Sequence, residues 1–392
     1  MTENYDVILI GGGASGLMCA ACLYAENPSL KVLMLEKKPR VGKKLLTTGN
    51  GRCNLINLKA GACDYFSDDI EKLESVFARV PVSKVLNFFK EDLGLETTEV
   101  GDLVYPATFR ASSVLDCLRL FPKNLKVITQ KVESVTKDGK SYTVNNSYVS
   151  PKIVFACGGA SAPSTGSDGK IYSLLKKLSV DCVTDKIIPV LTPLKSPDKD
   201  IRILSGQRIR CNASLGSKAE EGELQFTDYG VSGIMAMQLS REFANISGTG
   251  KDTSLHVDLM PSYNLEEKAK RISELNDKFQ DRTPEDRLVG ILSKPLASVV
   301  IKRAGGDMGR VPEIINDFKI NINGTLGFDH SQVTRGGIKL SELSENLELE
   351  SNKGIYICGE LVNVDGPCGG FNLYWAWASA MICAKGCLAD GV

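Results

Sequence analysis

Histidine is nearly missing from this sequence of 392 residues: there are two, His256 and His330, neither placed beside other ligands at metal-binding spacing. A zinc centre is therefore not expected, and no metal is assigned. A surplus of either charge is missing too. Lys and Arg total 47 against 47 for Asp and Glu, with no segment gathering one sign, so nothing pulls the chain generally toward nucleic acid or an anionic membrane. No secretory leader is legible ahead of the twelve scattered cysteines, the pattern of a reduced cytoplasmic protein rather than of a disulfide framework. Cys19-x-x-Cys22 falls among alanines in a helical stretch, where small side chains serve close packing rather than redox chemistry. Residues 7–25 carry no charge, yet Gly11, Gly12, Gly13 and Gly16 interrupt them and Asp6, not a basic flank, precedes them. A strand turning into a helix is expected there, not a membrane span.

That segment also holds the first positive signal. A β-rich run over 5–10 leads into Gly11-x-Gly13-x-x-Gly16 and an alanine-rich helix. Gly11 permits the tight turn, Gly13 the approach of a pyrophosphate, and Gly16 close packing of helix on strand. Ala14 and Ser15 then open the helix, whose free N–H groups and partial positive charge suit phosphate. A second apolar strand over 31–35 ends in Glu36, about twenty residues past Gly16, where a carboxylate accepts the ribose hydroxyls. Glutamate there argues against a 2′-phosphate; FAD and NAD both satisfy the pattern.

A glycine-rich loop follows at once, TTGNGRCNLIN over 47–57. With FACGGASAPSTGSDG at 155–169, GELQFTDYGVSG at 222–233, VTRGGI at 333–338 and GIYICGELVNVDGPCGGFNLYWAWASA at 354–380, it resembles the BaiN/RdsA-like flavoproteins along nearly the whole chain. The resemblance implies FAD, held in the extended manner of the glutathione-reductase-like superfamily. The loop is expected to run under the pyrophosphate and reach the flavin: Gly49 and Gly51 allow close backbone approach, and Arg52 and Asn54 supply donors. Lys37, Lys44, Asn50 and Cys53 complete this candidate set. The strand over 152–159 is expected to deliver Cys157 and Gly158 to the cofactor, and a meander around 126–150 points to Val132 as an adenine contact. The superfamily resemblance assigns Glu360, after Gly359, to the FAD ribitol, and Asp365, Gly369, Gly370, Phe371 and Asn372 to a helix N-terminus facing the flavin.

The expected fold class is α/β, a glutathione-reductase-like Rossmann FAD domain over 1–187 and 333–392, with an inserted β-rich subdomain over 188–260 and a helical one over 261–332. Prolines at 189, 193 and 197 mark the crossing. In the helical stretch, Thr283, Pro284 and Asp286 make a helix-start signature. The inserted region carries no second strand–glycine–helix fingerprint, so NAD(P)H is expected only as a transient donor at the flavin. The expected activity is hydride transfer to a conjugated, hydrophobic small molecule, with substrate meeting the flavin where the insertion closes over it and Tyr229 as candidate proton donor. An oxygen-dependent amine oxidase of the aminoacetone oxidase kind is the alternative. An RNA modifier or a flavin sensor ranks below, for want of a basic stripe. Oligomeric state is not legible.

Overall fold

The computed structural model of the chain describes residues 2–178 and 183–389. Two compact units result, one of residues 1–189 and 332–392, the other of 190–331.

The first unit is built on a five-stranded parallel sheet in the order Ile355–Ile357, Lys152–Phe155, Val7–Ile10, Val32–Glu36, Leu125–Thr129. Val7–Ile10 and residues 32–35 are buried, as strands covered on both faces require. The uncharged run over 7–25 thus divides into a strand and the helix Ala14–Glu26. A Cβ on Gly16 would stand 2.0 Å from the Gly11 carbonyl oxygen, so only glycine lets the helix start this close to the strand. Cys19 and Cys22 are buried in that helix, where burial pushes both thiols up, and they serve packing. The C-terminal helix Phe371–Ala389 packs against it. Cys182 lies outside the described residues, and no two of the described cysteines form a disulfide.

One expectation needs correction. Leu125–Thr129 does not belong to the meander but forms the edge of the parallel sheet beside Val32–Glu36. The meander is Val135–Asp138, Ser141–Val144 and Tyr148–Ser150, and Val132 sits half-buried in the connection between the two sheets, outside any strand. Alternation of side chains announces a strand without naming the neighbour it pairs with.

The second unit has a seven-stranded sheet, in the order Phe318–Ile320, Leu255–Asp258, Arg208–Leu215, Lys218–Phe226, Gly230–Ser232, Leu194–Lys195, Gly324–Thr325, antiparallel throughout. The helices Ile234–Ile246, Leu265–Lys278, Lys294–Arg303 and Val311–Asn316 share its core. What reads in sequence as a β-rich piece followed by a helical one is one unit here, because the apolar faces of these helices and of the sheet bury each other. Thr283 caps its helix as expected, its Oγ accepting from the Asp286 N–H at 3.3 Å, with Pro284 in the first turn. Among the described residues no helix is long and apolar enough to cross a membrane, and no group of three or more His, Cys, Asp or Glu is arranged to hold a metal ion.

Candidate functional site

The first unit gathers most of the glycines and polar groups singled out in the sequence. Glu36 ends its strand beside the glycine turn, and its two carboxylate oxygens accept the N–H groups of Gly12 and Lys38, each at 2.8 Å. Each oxygen keeps a further lone pair for a ligand hydroxyl. Gly11 adopts φ 109°, and the helix that follows begins at Gly13 without a side-chain cap, so its first N–H groups, through Ala14 and Ser15, are not claimed by one. Lys37 reaches across to Asp168, Nζ to Oδ1 2.7 Å. Burial alone pushes the Asp168 carboxyl up, but the Lys37 ammonium and the Lys170 N–H outweigh it and hold the group below the ordinary carboxylate range.

Loop 45–57 turns back on itself through Gly49, Asn50 and Gly51, all at positive φ. It buries Asn54 and Cys53 and leaves Arg52 exposed. Burial pushes the Cys53 thiol up to about 12, which keeps it protonated and unreactive. Asn54 Oδ1 is buried without a hydrogen-bond partner among the described residues. It stands against the turn that opens the C-terminal helix: a Cβ on Gly370 would lie 2.9 Å from it and 2.6 Å from the Ile56 carbonyl carbon. Gly369 is tied in as well, its carbonyl accepting from Asn57 Nδ2 at 3.2 Å. Two tryptophans on the helix face fix this arrangement. Trp375 donates to the Gly359 carbonyl and Trp377 to the Leu55 carbonyl, both at 2.9 Å and buried. Tyr65 adds a bond from its hydroxyl to the Phe371 carbonyl at 2.7 Å.

Glu360 sits on the turn that Trp375 holds. One carboxylate oxygen pairs with Lys44 Nζ. The other accepts from the Thr334 N–H at 3.0 Å and the Thr334 hydroxyl at 2.9 Å. Thr334 Oγ in turn accepts from the N–H groups of Ala160 at 2.8 Å and Ser161 at 3.0 Å. Thr334 and Ser161 were not singled out as site residues in the sequence; their one signal is that both lie in segments that resemble the flavoproteins. Cys157 donates its thiol to the Ile10 carbonyl at 3.1 Å, and burial first, then the nearby Glu36, pushes it up to about 12. Next to it, a Cβ on Gly158 would come within 2.9 Å of Ser167 Oγ, a buried hydroxyl that, like the Asn54 amide oxygen, has no hydrogen-bond partner among the described residues.

Several polar groups of these segments are engaged elsewhere. Asp365 is buried in a two-pronged ion pair with Arg335, Oδ2 to Nε 2.8 Å and Oδ1 to the terminal nitrogen 3.1 Å, so its carboxylate belongs to the scaffold. Asn372 spends its amide on the backbone of Gly366 and Pro367. The Arg52 guanidinium lies 5.6 Å from the Tyr105 ring centroid, with Nε 3.4 Å from the Gly49 carbonyl of its own loop. Cys368 faces Gln332, Sγ to Oε1 3.7 Å. Tyr229 belongs to the other unit, half-buried in the bend between Lys218–Phe226 and Gly230–Ser232.

An uncapped helix start beside a two-pronged carboxylate, continuing to a buried amide oxygen without a partner, fits a long dinucleotide whose far end carries a hydrogen-bonding ring. The class is an FAD-dependent oxidoreductase built on a Rossmann sheet. The chain belongs to the family described as HI0933-like protein Rossmann domain, which matches residues 5–386. It is 32% identical to the 3-dehydro-bile acid delta(4,6)-reductase of Clostridium scindens, over 96% of this chain and 97% of that one. It is 27% identical to the ribosomal RNA dihydrouridine synthase of Haemophilus influenzae, over 98% of each. Among solved structures, the 3-ketosteroid delta1-dehydrogenase of Sterolibacterium denitrificans matches with a TM-score of 0.52 at 13% identity, covering 99% of this chain and 100% of that one, a likeness of fold.

Proposed function

We propose that this chain, loaded with FAD and supplied with electrons by NADH or NADPH, adds hydride to a carbon–carbon double bond conjugated with a carbonyl in a flat, hydrophobic small molecule. The observation that carries the reading is the similarity to the bile acid reductase along the whole length of both chains. The dihydrouridine synthase points to related chemistry, since dihydrouridine differs from uridine by saturation of a double bond conjugated with a carbonyl. Between the two substrate classes, the balance of 47 basic and 47 acidic residues favours the small molecule over an RNA backbone.

In this reading the N–H groups of residues 13–15 bind the pyrophosphate, Glu36 the ribose hydroxyls, and Glu360 the ribityl chain. Gly49, Asn50 and Gly51 bring the backbone close to the cofactor, while Asn54 and the start of helix Phe371–Ala389 meet the polar edge of the ring. Bound FAD would supply hydride acceptance and donation at the ring. The chain's own groups orient and tune. Lys44 balances the charge of Glu360, Thr334 fixes that carboxylate's direction, and the helix N-terminus favours negative charge beside it. Cys53 and Cys157, protonated by burial, take no part as nucleophiles. Anaerobic mixing with NADPH, followed by an enone or by air, tests the reading. Bleaching of the flavin and its recovery by the enone support it. No bleaching by either nicotinamide, with bleaching by an amine and recovery in air, supports the oxidase instead.

A further inference from the structure

Two side-chain hydroxyls of the first unit are buried without a hydrogen-bond partner among the described residues: those of Ser167 and Tyr172, residues 5% and 7% exposed. A buried donor left unpaired opposes folding, and alanine and phenylalanine would fill the same space without that cost. Packing of the scaffold therefore accounts for neither hydroxyl.

Both stand against glycines that border Glu360. Ser167 Oγ would lie 2.9 Å from a Cβ on Gly158, and a Cβ on the next residue, Gly159, would lie 3.0 Å from Glu360 Oε1 and 2.5 Å from Thr334 Oγ. Tyr172, in the first turn of the helix Ile171–Leu178, approaches through a different glycine. Its hydroxyl would lie 3.3 Å from a Cβ on Gly337, a Cβ that would also collide with the carbonyl oxygen of Leu361, the residue after Glu360. Burial first, then the Glu360 charge, pushes the Tyr172 phenol above the ordinary tyrosine range, so it keeps its proton to donate.

The charges beside these hydroxyls select the group they suit. Glu360 is already balanced by Lys44 and held by Thr334, and a phosphate brought against its carboxylate would be repelled. A neutral hydroxyl meets no such repulsion, and it can accept from a phenol or a serine while donating to a carboxylate lone pair. The geometry points to Ser167 and Tyr172 as hydrogen-bond partners of a neutral polyol chain, the ribityl segment of FAD, beside Glu360. The inference rests on the reading of Glu360 as a ribityl contact and extends that contact to two residues outside the glycine fingerprint.

Fluorescence titration of the full chain with FAD and with its 2′-, 3′- and 4′-deoxyribityl analogues tests this in wild type, Tyr172→Phe and Ser167→Ala. Each variant should bind FAD about threefold to tenfold more weakly, the worth of one hydrogen bond. The thermal midpoint of the FAD-free chain should stay level or rise, because neither hydroxyl has a protein partner to lose. The affinity loss should vanish with the analogue that lacks the ribityl hydroxyl concerned. A loss in one variant alone keeps that residue and removes the other. Variants that bind FAD as wild type does, or that lose as much affinity for every analogue as for FAD, overturn the assignment and leave the cofactor reading standing. Wild type that takes up no FAD overturns the cofactor reading and this assignment with it.

Discussion

Glu36 spends one lone pair of each oxygen on a backbone N–H, from Gly12 and from Lys38, and this fixes the plane of the carboxylate before any ligand arrives. Glu36→Ala removes those bonds together with the ribose contact proposed for it. FAD retention should fall by about 1.5–3 kcal/mol, the range for hydrogen bonds to a charged group, while the flavin's reactivity at saturation changes little. Equilibrium dialysis of the variant against FAD measures it, and an unchanged Kd would place the ribose contact elsewhere. Asp168 gives a prediction in pH. Its folded pKa is lowered, with Lys37 opposing the upward push of burial, so the unfolded chain takes up the proton more readily. Its stabilisation is complete above the ordinary aspartate pKa of about 3.9 and drains away as pH falls through that value toward the lower folded one. The thermal midpoints of wild type and Asp168→Asn should therefore converge as pH drops through that window. A constant gap would show that Lys37 and Asp168 are not coupled in solution.

At the scale of elements, the C-terminal helix governs the site through two indole N–H groups. Trp375→Phe keeps the buried ring but leaves the Gly359 carbonyl without its donor, at a cost of about 1–3 kcal/mol. Because Gly359 carries the turn of Glu360, FAD affinity should fall along with the urea midpoint. A stability loss with FAD affinity intact would separate the helix from the cofactor cradle. How much of this could be read in sequence follows from distance along the chain. The turn over 11–16 and the acid at 36 lie within one strand–helix–strand unit, where spacing carries geometry, and the fingerprint showed them. Thr334 reaches Ala160 and Ser161 only through the tertiary fold, and no local pattern announces that meeting. The resemblance assigns Asp365 to the flavin end of the site, and the bidentate grip of Arg335, which comes from a separate segment, is not announced by any local pattern. Leu125–Thr129 was legible as a strand, but its partner Val32–Glu36 was not.

Over the whole molecule, the contrast between the two sheets constrains the electron donor. The parallel sheet of the first unit has the strand–helix–strand crossover that presents helix N–H groups to a pyrophosphate. The sheet of the inserted unit is antiparallel at each of its pairings among the described residues, and antiparallel neighbours do not generate that crossover. On the proposed reading, a nicotinamide nucleotide has no second nucleotide fold among the described residues and would meet the flavin on the face that the acceptor also uses. Donor and acceptor should then exclude one another. Steady-state rates measured over a grid of NADPH and enone concentrations are expected to give parallel double-reciprocal lines, with each reactant inhibiting competitively against the other at high concentration. Intersecting lines, or NADP+ that binds equally well with the acceptor analogue in place, would mean that the donor has a separate site.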